Sequence, residues 1–160
     1  MDIDKFYKDA EKKLDQHKSL IKRLRKLKPR RIDNEFHSAH FQVFEETNCL
    51  DCANCCKTTS PVFYRLDIER ISKSLKMKVG EFIDTYLYED IEGDYVLNAV
   101  PCPFLGIDNK CIVYESRPVA CREYPHTNRK RMHQILNLTL KNSQICPAVN
   151  EILKKMNQLS

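Results

Sequence analysis

Cys49-Leu-Asp-Cys52-Ala-Asn-Cys55-Cys56 sets four thiols within eight residues and decides how the rest of this 160-residue chain is read. A CxxC step lets two sulfurs converge on one ion while the intervening amides turn toward them. A lone cysteine is usually a small buried hydrophobe, a reading that four in so short a run do not admit. The vicinal pair Cys55-Cys56 points in different directions in any regular backbone. It is therefore expected to serve two different sites, or one site and a bystander.

Working outward, four more cysteines follow at Cys102, Cys111, Cys121 and Cys146. Eight thiols divide evenly into two all-thiolate sites, so Cys49, Cys52, Cys55, Cys56, Cys102, Cys111, Cys121 and Cys146 are the candidate metal ligands. In Cys146-Pro147-Ala-Val149-Asn-Glu-Ile152-Leu153, the proline suits a first helical position and puts Cys146 at the N-cap. The positive helix end is expected to favour a thiolate there. Cys121 falls just inside a second helix beginning near Ser116-Arg117-Pro118. Asp108-Asn109 reads as a turn that brings Cys102 toward Cys111. Lys57, Arg117 and Arg122 flank the thiols and would offset thiolate charge.

Composition narrows the chemistry. The chain is 42% hydrophobic and 31% charged, with no Trp and seven each of Tyr and Phe, a globular profile. Gly80, Gly93 and Gly106 are its three glycines, and no spacing among them writes a dinucleotide or P-loop motif. The opening Met1-Asp2-Ile3-Asp4 carries no apolar stretch of signal-peptide length, and no segment has the length and apolarity to span a bilayer. The expectation is a cytoplasmic protein, in whose reducing surroundings clustered cysteines hold metal rather than disulfides.

The net charge of +5 is uneven: residues 1–31 hold twelve Lys/Arg against five Asp/Glu, and Lys18 to Arg31 carries eight bases and no acid. Ile3, Phe6, Ala10, Leu14, Leu20, Ile21, Leu24 and Leu27 form a stripe at helical spacing. The spacing predicts one amphipathic helix over residues 3–28, ended by Pro29, with 29–48 as a connector. That helix is expected to pack on the body or self-associate, leaving a solvated basic face. The same face offers phosphate contacts to nucleic acid or another anionic partner, without interleaved aromatics for stacking. It would also counter the charge of eight thiolates.

These residues resemble the CxxCxxCC cysteine-cluster family, YkgJ-like, of zinc- or iron-chelating domains. The resemblance runs through Cys49 to Cys56, Leu66-Asp67-Ile68-Glu69-Arg70-Ile71, Glu81-Phe82 with Tyr86-Leu87, Cys102-Pro-Phe-Leu105, and Cys111 to Pro125. It implies metal chelation by these cysteines. The longer flagellin lysine methylases look similar around the cluster, which implies an iron–sulfur enzyme, with methyl transfer, as an alternative. The N-terminal helix lies outside the shared pattern.

Thiolate sites suit zinc and also iron in clusters. Cys49-xx-Cys52-xx-Cys55 with a distant Cys-Pro is similar to the ferredoxin run that holds a [4Fe–4S] cluster. Here the fourth cysteine of that run is missing and Cys56 follows Cys55 directly, so zinc is favoured, with iron or [4Fe–4S] the alternative. His126 is the best placed of the histidines near the cluster, which include His37, His40 and His133; each alone is more often a hydrogen-bonded or surface residue.

Between the cysteine groups, Asp67 reads as the cap of a helix running to about Met77, followed by a helix over 81–89. Tyr95 to Val100 and Ile112-Val113 read as short strands, and Arg131 to Leu140 is ambiguous. The fold expected is mainly α with short β segments. It is a small metal-stapled cysteine-cluster domain over 32–160, metal core 49–147, preceded by the basic helix 1–31. Three functions follow: a metal-binding protein, an iron–sulfur enzyme, or a nucleic-acid-binding protein with structural zinc. A cysteine protease or thiol oxidoreductase is disfavoured, because no cysteine stands apart and no thioredoxin-like βαβ pattern accompanies either CxxC.

Overall fold

A computed structural model describes residues 2–158. In chain order its elements are α1 (Ile3–Leu24), α2 (Pro29–Phe44), α3 (Asn54–Thr58), β1 (Val62–Phe63), α4 (Arg65–Ser74), α5 (Val79–Tyr86), β2 (Leu87–Glu89), β3 (Tyr95–Leu97), α6 (Val119–Glu123), α7 (Leu136–Asn142) and α8 (Pro147–Gln158). The chain is thus mainly helical with few, short strands, and α1 precedes the cysteine-rich region. Its contacts divide it into two units. One runs to Cys52 and resumes at Pro125; the other is Ala53–Tyr124.

The first unit is built on long helices. Asp2 caps α1, its Oδ1 accepting the Lys5 N–H at 3.0 Å, while Asp4 and then Lys22 and Arg23 suit the two ends of the dipole. The predicted stripe is buried at Phe6, Ala10, Leu20, Ile21 and Leu24. The helix stops at Leu24, where the N–H groups of Lys26 and Leu27 tighten onto the carbonyls three residues back.

Pro29 does not open a connector. It is the first residue of α2, where its missing N–H costs nothing, and Ile32, Phe36, Ala39 and Val43 bury one face. Ile21, Phe36, Met132, Leu136, Ile152 and Leu153 are among the side chains that close the core between α1, α2, α7 and α8. The segment left ambiguous folds as a Met132–Gln134 turn and α7, so it is helical.

Short elements make up the second unit. Strands pair antiparallel in the order β1-β3-β2, with Val62 opposite Val96 and Leu87 opposite Leu97. The β2–β3 loop is turned by Asp90, whose Oδ1 accepts the N–H groups of Glu92 (2.9 Å) and Asp94 (3.0 Å), with Gly93 at φ 86°. Helices α4 and α5 pack together, and Phe63, Ile71, Phe82, Leu97 and Phe104 form the core; Phe82 and Phe104 stack at 6.1 Å.

Asp67 is not the cap residue of α4. It lies at the third helical position and reaches back to the Tyr64 N–H at 3.1 Å, and the helix ends at Ser74. Gly80 sits inside α5, which begins at Val79. Ile112-Val113 forms no strand; the neighbouring regular pairing is a single bridge between Leu105 and Cys111.

Candidate metal centre

Four of the cysteines are carried by four separate segments of the Ala53–Tyr124 unit. Cys56 lies on α3, which starts after Ala53 adopts the left-handed conformation at φ 48°. Cys102 follows β3, and its N–H donates to the Cys56 carbonyl at 2.8 Å, tying these two segments together. The expected turn is present: Gly106 N–H bonds to Lys110 O at 2.8 Å, Asn109 takes φ 62°, and the Leu105–Cys111 bridge folds Cys111 back beside Cys102.

Cys121 sits in the short helix α6, as expected. Asp67 and Arg70 fix its approach. The buried Asp67 Oδ1 accepts the Val119 N–H at 3.1 Å, while Arg70 donates to Asp67 at 2.6 Å and to the carbonyls of Ser116 (3.1 Å) and Arg117 (2.8 Å).

The electrostatics show these four sulfurs acting on one another. Burial pushes the Cys121 thiol up to about 12, with added pressure from Cys56, Cys102 and Cys111. Burial likewise lifts Cys102 to about 11, again with Cys56 and Cys111 adding to it, and it raises Cys111. Cys56 goes the other way, to about 7, because the neighbouring Cys55 side chain hydrogen-bonds to it and Lys57 lies close, outweighing its burial. Arg117, stacked 3.7 Å over the Tyr114 ring, favours the thiolates of Cys111 and Cys121.

Such a set does not ionise fully by itself, since each thiolate makes the next costlier. A divalent cation removes that conflict, so the donor chemistry fits a thiophilic metal. Among the described residues, no three His, Cys, Asp or Glu side chains already stand at metal-holding geometry. The sulfurs share a neighbourhood without being drawn to one centre.

The other unit gathers a second group. Asn48 caps a tight turn at Cys49–Asp51, its Oδ1 accepting the Leu50 N–H at 3.1 Å, and the Cys52 N–H closes on the Cys49 carbonyl at 3.2 Å. Cys146 precedes α8 as expected, its carbonyl accepting the Asn150 N–H at 3.1 Å. Its thiol, however, is pushed up to about 11. Burial outweighs the favourable N–H groups of Ala148 and Val149, and Cys49 and Cys52 add to the rise, so the helix terminus alone does not produce a thiolate. Cys55 belongs to the Ala53–Tyr124 unit, beside Cys56. No disulfide joins any of the eight.

His37 and His40 are engaged by partners other than the thiols. His40 Nδ1 lies 2.8 Å from Thr127 Oγ1, His37 Nε2 bonds to the Arg129 carbonyl at 2.8 Å, and His133 is exposed. His126, the best placed in sequence, is half-buried in a left-handed conformation at φ 65°. His17, which the sequence reading passed over, is fully buried on α1 with its Nε2 2.7 Å from Asn150 Oδ1. The gap it fills in the apolar stripe, between Leu14 and Leu20, was the available signal.

Among the described residues no helix is long and apolar enough to cross a membrane. No curated protein and no solved structure matches the chain. A family model described as "putative zinc- or iron-chelating domain" matches residues 48–147, a span that holds all eight cysteines and well over half of the sequence: the chain belongs to the CxxCxxCC family.

Proposed function

We infer that this protein holds zinc through its cysteines, in sites that are structural rather than catalytic. The observation that carries this reading is the gathering of Cys56, Cys102, Cys111 and Cys121 from four segments within one unit, with the Cys102 N–H bonded to the Cys56 carbonyl at 2.8 Å. Four thiolates complete a tetrahedral zinc shell and leave no open position for substrate. Cys49, Cys52 and Cys146 form the second sulfur group. Cys55, beside Cys56 in the Ala53–Tyr124 unit, is the eighth candidate ligand. A reducing cytoplasm keeps all eight available as thiols. The metal would supply folding free energy to the metal core, residues 49–147.

The test is an absorption spectrum with elemental analysis of the full chain purified without oxygen and without added metal. Colourless protein with about two zinc ions per chain, falling by about one in Cys102→Ser/Cys121→Ser, is the expected result. Brown protein with stoichiometric iron would replace zinc by a cluster and favour the iron–sulfur enzyme. Protein that takes up neither metal would overturn chelation altogether.

A further inference from the structure

The first unit carries a basic surface that the metal does not explain. The turn from Arg25 to Arg31 exposes Arg25, Lys26, Lys28, Arg30 and Arg31. Three of these cations, Lys28, Arg30 and Arg31, stand at the start of α2, which has no acid in its first turn and no side-chain cap. That is the positive end of the helix dipole, where cations are unfavourable. A local conflict of this kind is expected where function outweighs stability.

The fold then adds charge to the same end. Asp33, one turn into α2, accepts the N–H groups of Arg131 at 2.9 Å and Met132 at 2.8 Å, and His37 bonds to the Arg129 carbonyl at 2.8 Å. These bonds hold the exposed loop Arg129-Lys130-Arg131 against α2. Few carboxylates answer this charge: Glu35 pairs with Arg31 at 2.9 Å, and Asp33 is occupied by backbone. Arg25 is fixed in place by a neutral group, the Asn137 side-chain oxygen at 2.6 Å, so its position is set while its charge stays uncompensated.

We propose that the α1–α2 turn and the Arg129–Arg131 loop together form a binding surface for the phosphate backbone of nucleic acid. Arginine predominates in it, and the guanidinium fork matches a phosphate where an ammonium acts as a point charge. No aromatic side chain lies within either segment, so bases are not stacked and recognition is independent of sequence. This surface does not depend on the metal reading.

The experiment is fluorescence anisotropy of the full chain as purified with a labelled mixed-sequence duplex of about 20 base pairs, titrated at several salt concentrations. Binding is expected to weaken steeply with salt, with a log–log slope of about −4 to −6. R25Q/R30Q/R31Q and R129Q/K130Q/R131Q should each weaken binding more than about tenfold and flatten the slope by about two to three. K5Q/K8Q/K12Q, which removes the same charge from the other end of α1, should change it little.

Metal content, measured on every variant, should stay unchanged, which separates failure of this proposal from failure of the metal reading. Absence of binding at low salt would overturn the proposal. So would an equal loss in K5Q/K8Q/K12Q, which would mean net charge alone. Binding to vesicles rich in phosphatidylserine but not to duplex would overturn it in favour of a membrane surface.

Discussion

The two units solve the problem of stability by different means. In the first, α1 and α2 are long enough to present whole apolar faces, and α8 closes a core of apolar side chains; of its thiols Cys49 is exposed, while Cys146 packs against that core. In the second, the longest helix is α4 and the strands are two or three residues long. Elements this short bury little each, and a small unit with a thin core needs a staple. Its sulfurs sit where its segments meet, on α3, beside Phe104, at the Leu105–Cys111 bridge and on α6. Where helices are long the apolar faces close a core by themselves, and where they are short the thiols stand at the joins between segments.

The largest expected effect follows from that contrast. Removing the metal with a chelator, or substituting Cys102→Ser/Cys121→Ser, should cost the second unit on the order of 10 kcal/mol of apparent stability. Hydrogen exchange should then show α4, α5 and the sheet losing protection while α1, α2 and α8 keep theirs. Equal loss in both units would erase the distinction. Retained protection and a sharp melt of the metal-free chain would show that the staple is dispensable.

Phe82→Ala should come next, lowering stability by about 3–5 kcal/mol, because Phe82 is fully buried and stacked on Phe104. Denaturant titration read on the second unit measures it. Asp67→Asn follows at about 3 kcal/mol. Its carboxylate is 1% exposed and holds Arg70, the Tyr64 N–H and the Val119 N–H, so neutralising it strands the guanidinium and loosens the approach to Cys121. If Asp67→Asn melts like the native chain, that network is incidental.

The smallest effect is one of pH, and it belongs to the first unit, since all five histidines lie there and Ala53–Tyr124 has none. Burial lowers the His17 pKa, with the Asn150 hydrogen bond opposing, and burial lowers His40 as well. Both therefore bind a proton more readily in the unfolded chain. Stability is full above the unfolded value of 6.5 and falls as pH drops through it toward the folded values, by at most about 1.4 kcal/mol per pH unit for each group. Protection of α1 and α8 amides between pH 7 and 5 should decline accordingly, and less so in His17→Gln. A flat profile in the native chain would mean that neither ring is held neutral by the fold.

Local pattern carried much of this architecture. The α1 stripe, the Asp108-Asn109 turn, the α6 position of Cys121 and the start of α8 after Cys146 are all written within a few residues of one another. What escaped the sequence depends on segments far apart. Pro29 stops one helix and starts the next with equal ease, and only the burial of Ile32 and Phe36 decides between a connector and α2. His17 is legible as core only once Asn150 of α8 is seen beside it. The grouping of Cys146 with Cys49 and Cys52 is likewise a product of the closed helical unit, and the burial that comes with it reverses the effect expected of the helix end.

The first unit is interrupted: it runs to Cys52 and is completed from Pro125 onward, whereas the second is one unbroken stretch. During synthesis, which delivers the chain from its N-terminus, α1 and α2 emerge long before the α8 that covers them. Every residue of Ala53–Tyr124 is available earlier than that. The inserted unit has its whole sequence available first, while α1 and α2 still lack the α8 that covers their apolar faces. Cys146 joins Cys49 and Cys52 only when the two parts of the first unit come together, so the second sulfur group reports on the closing of that unit.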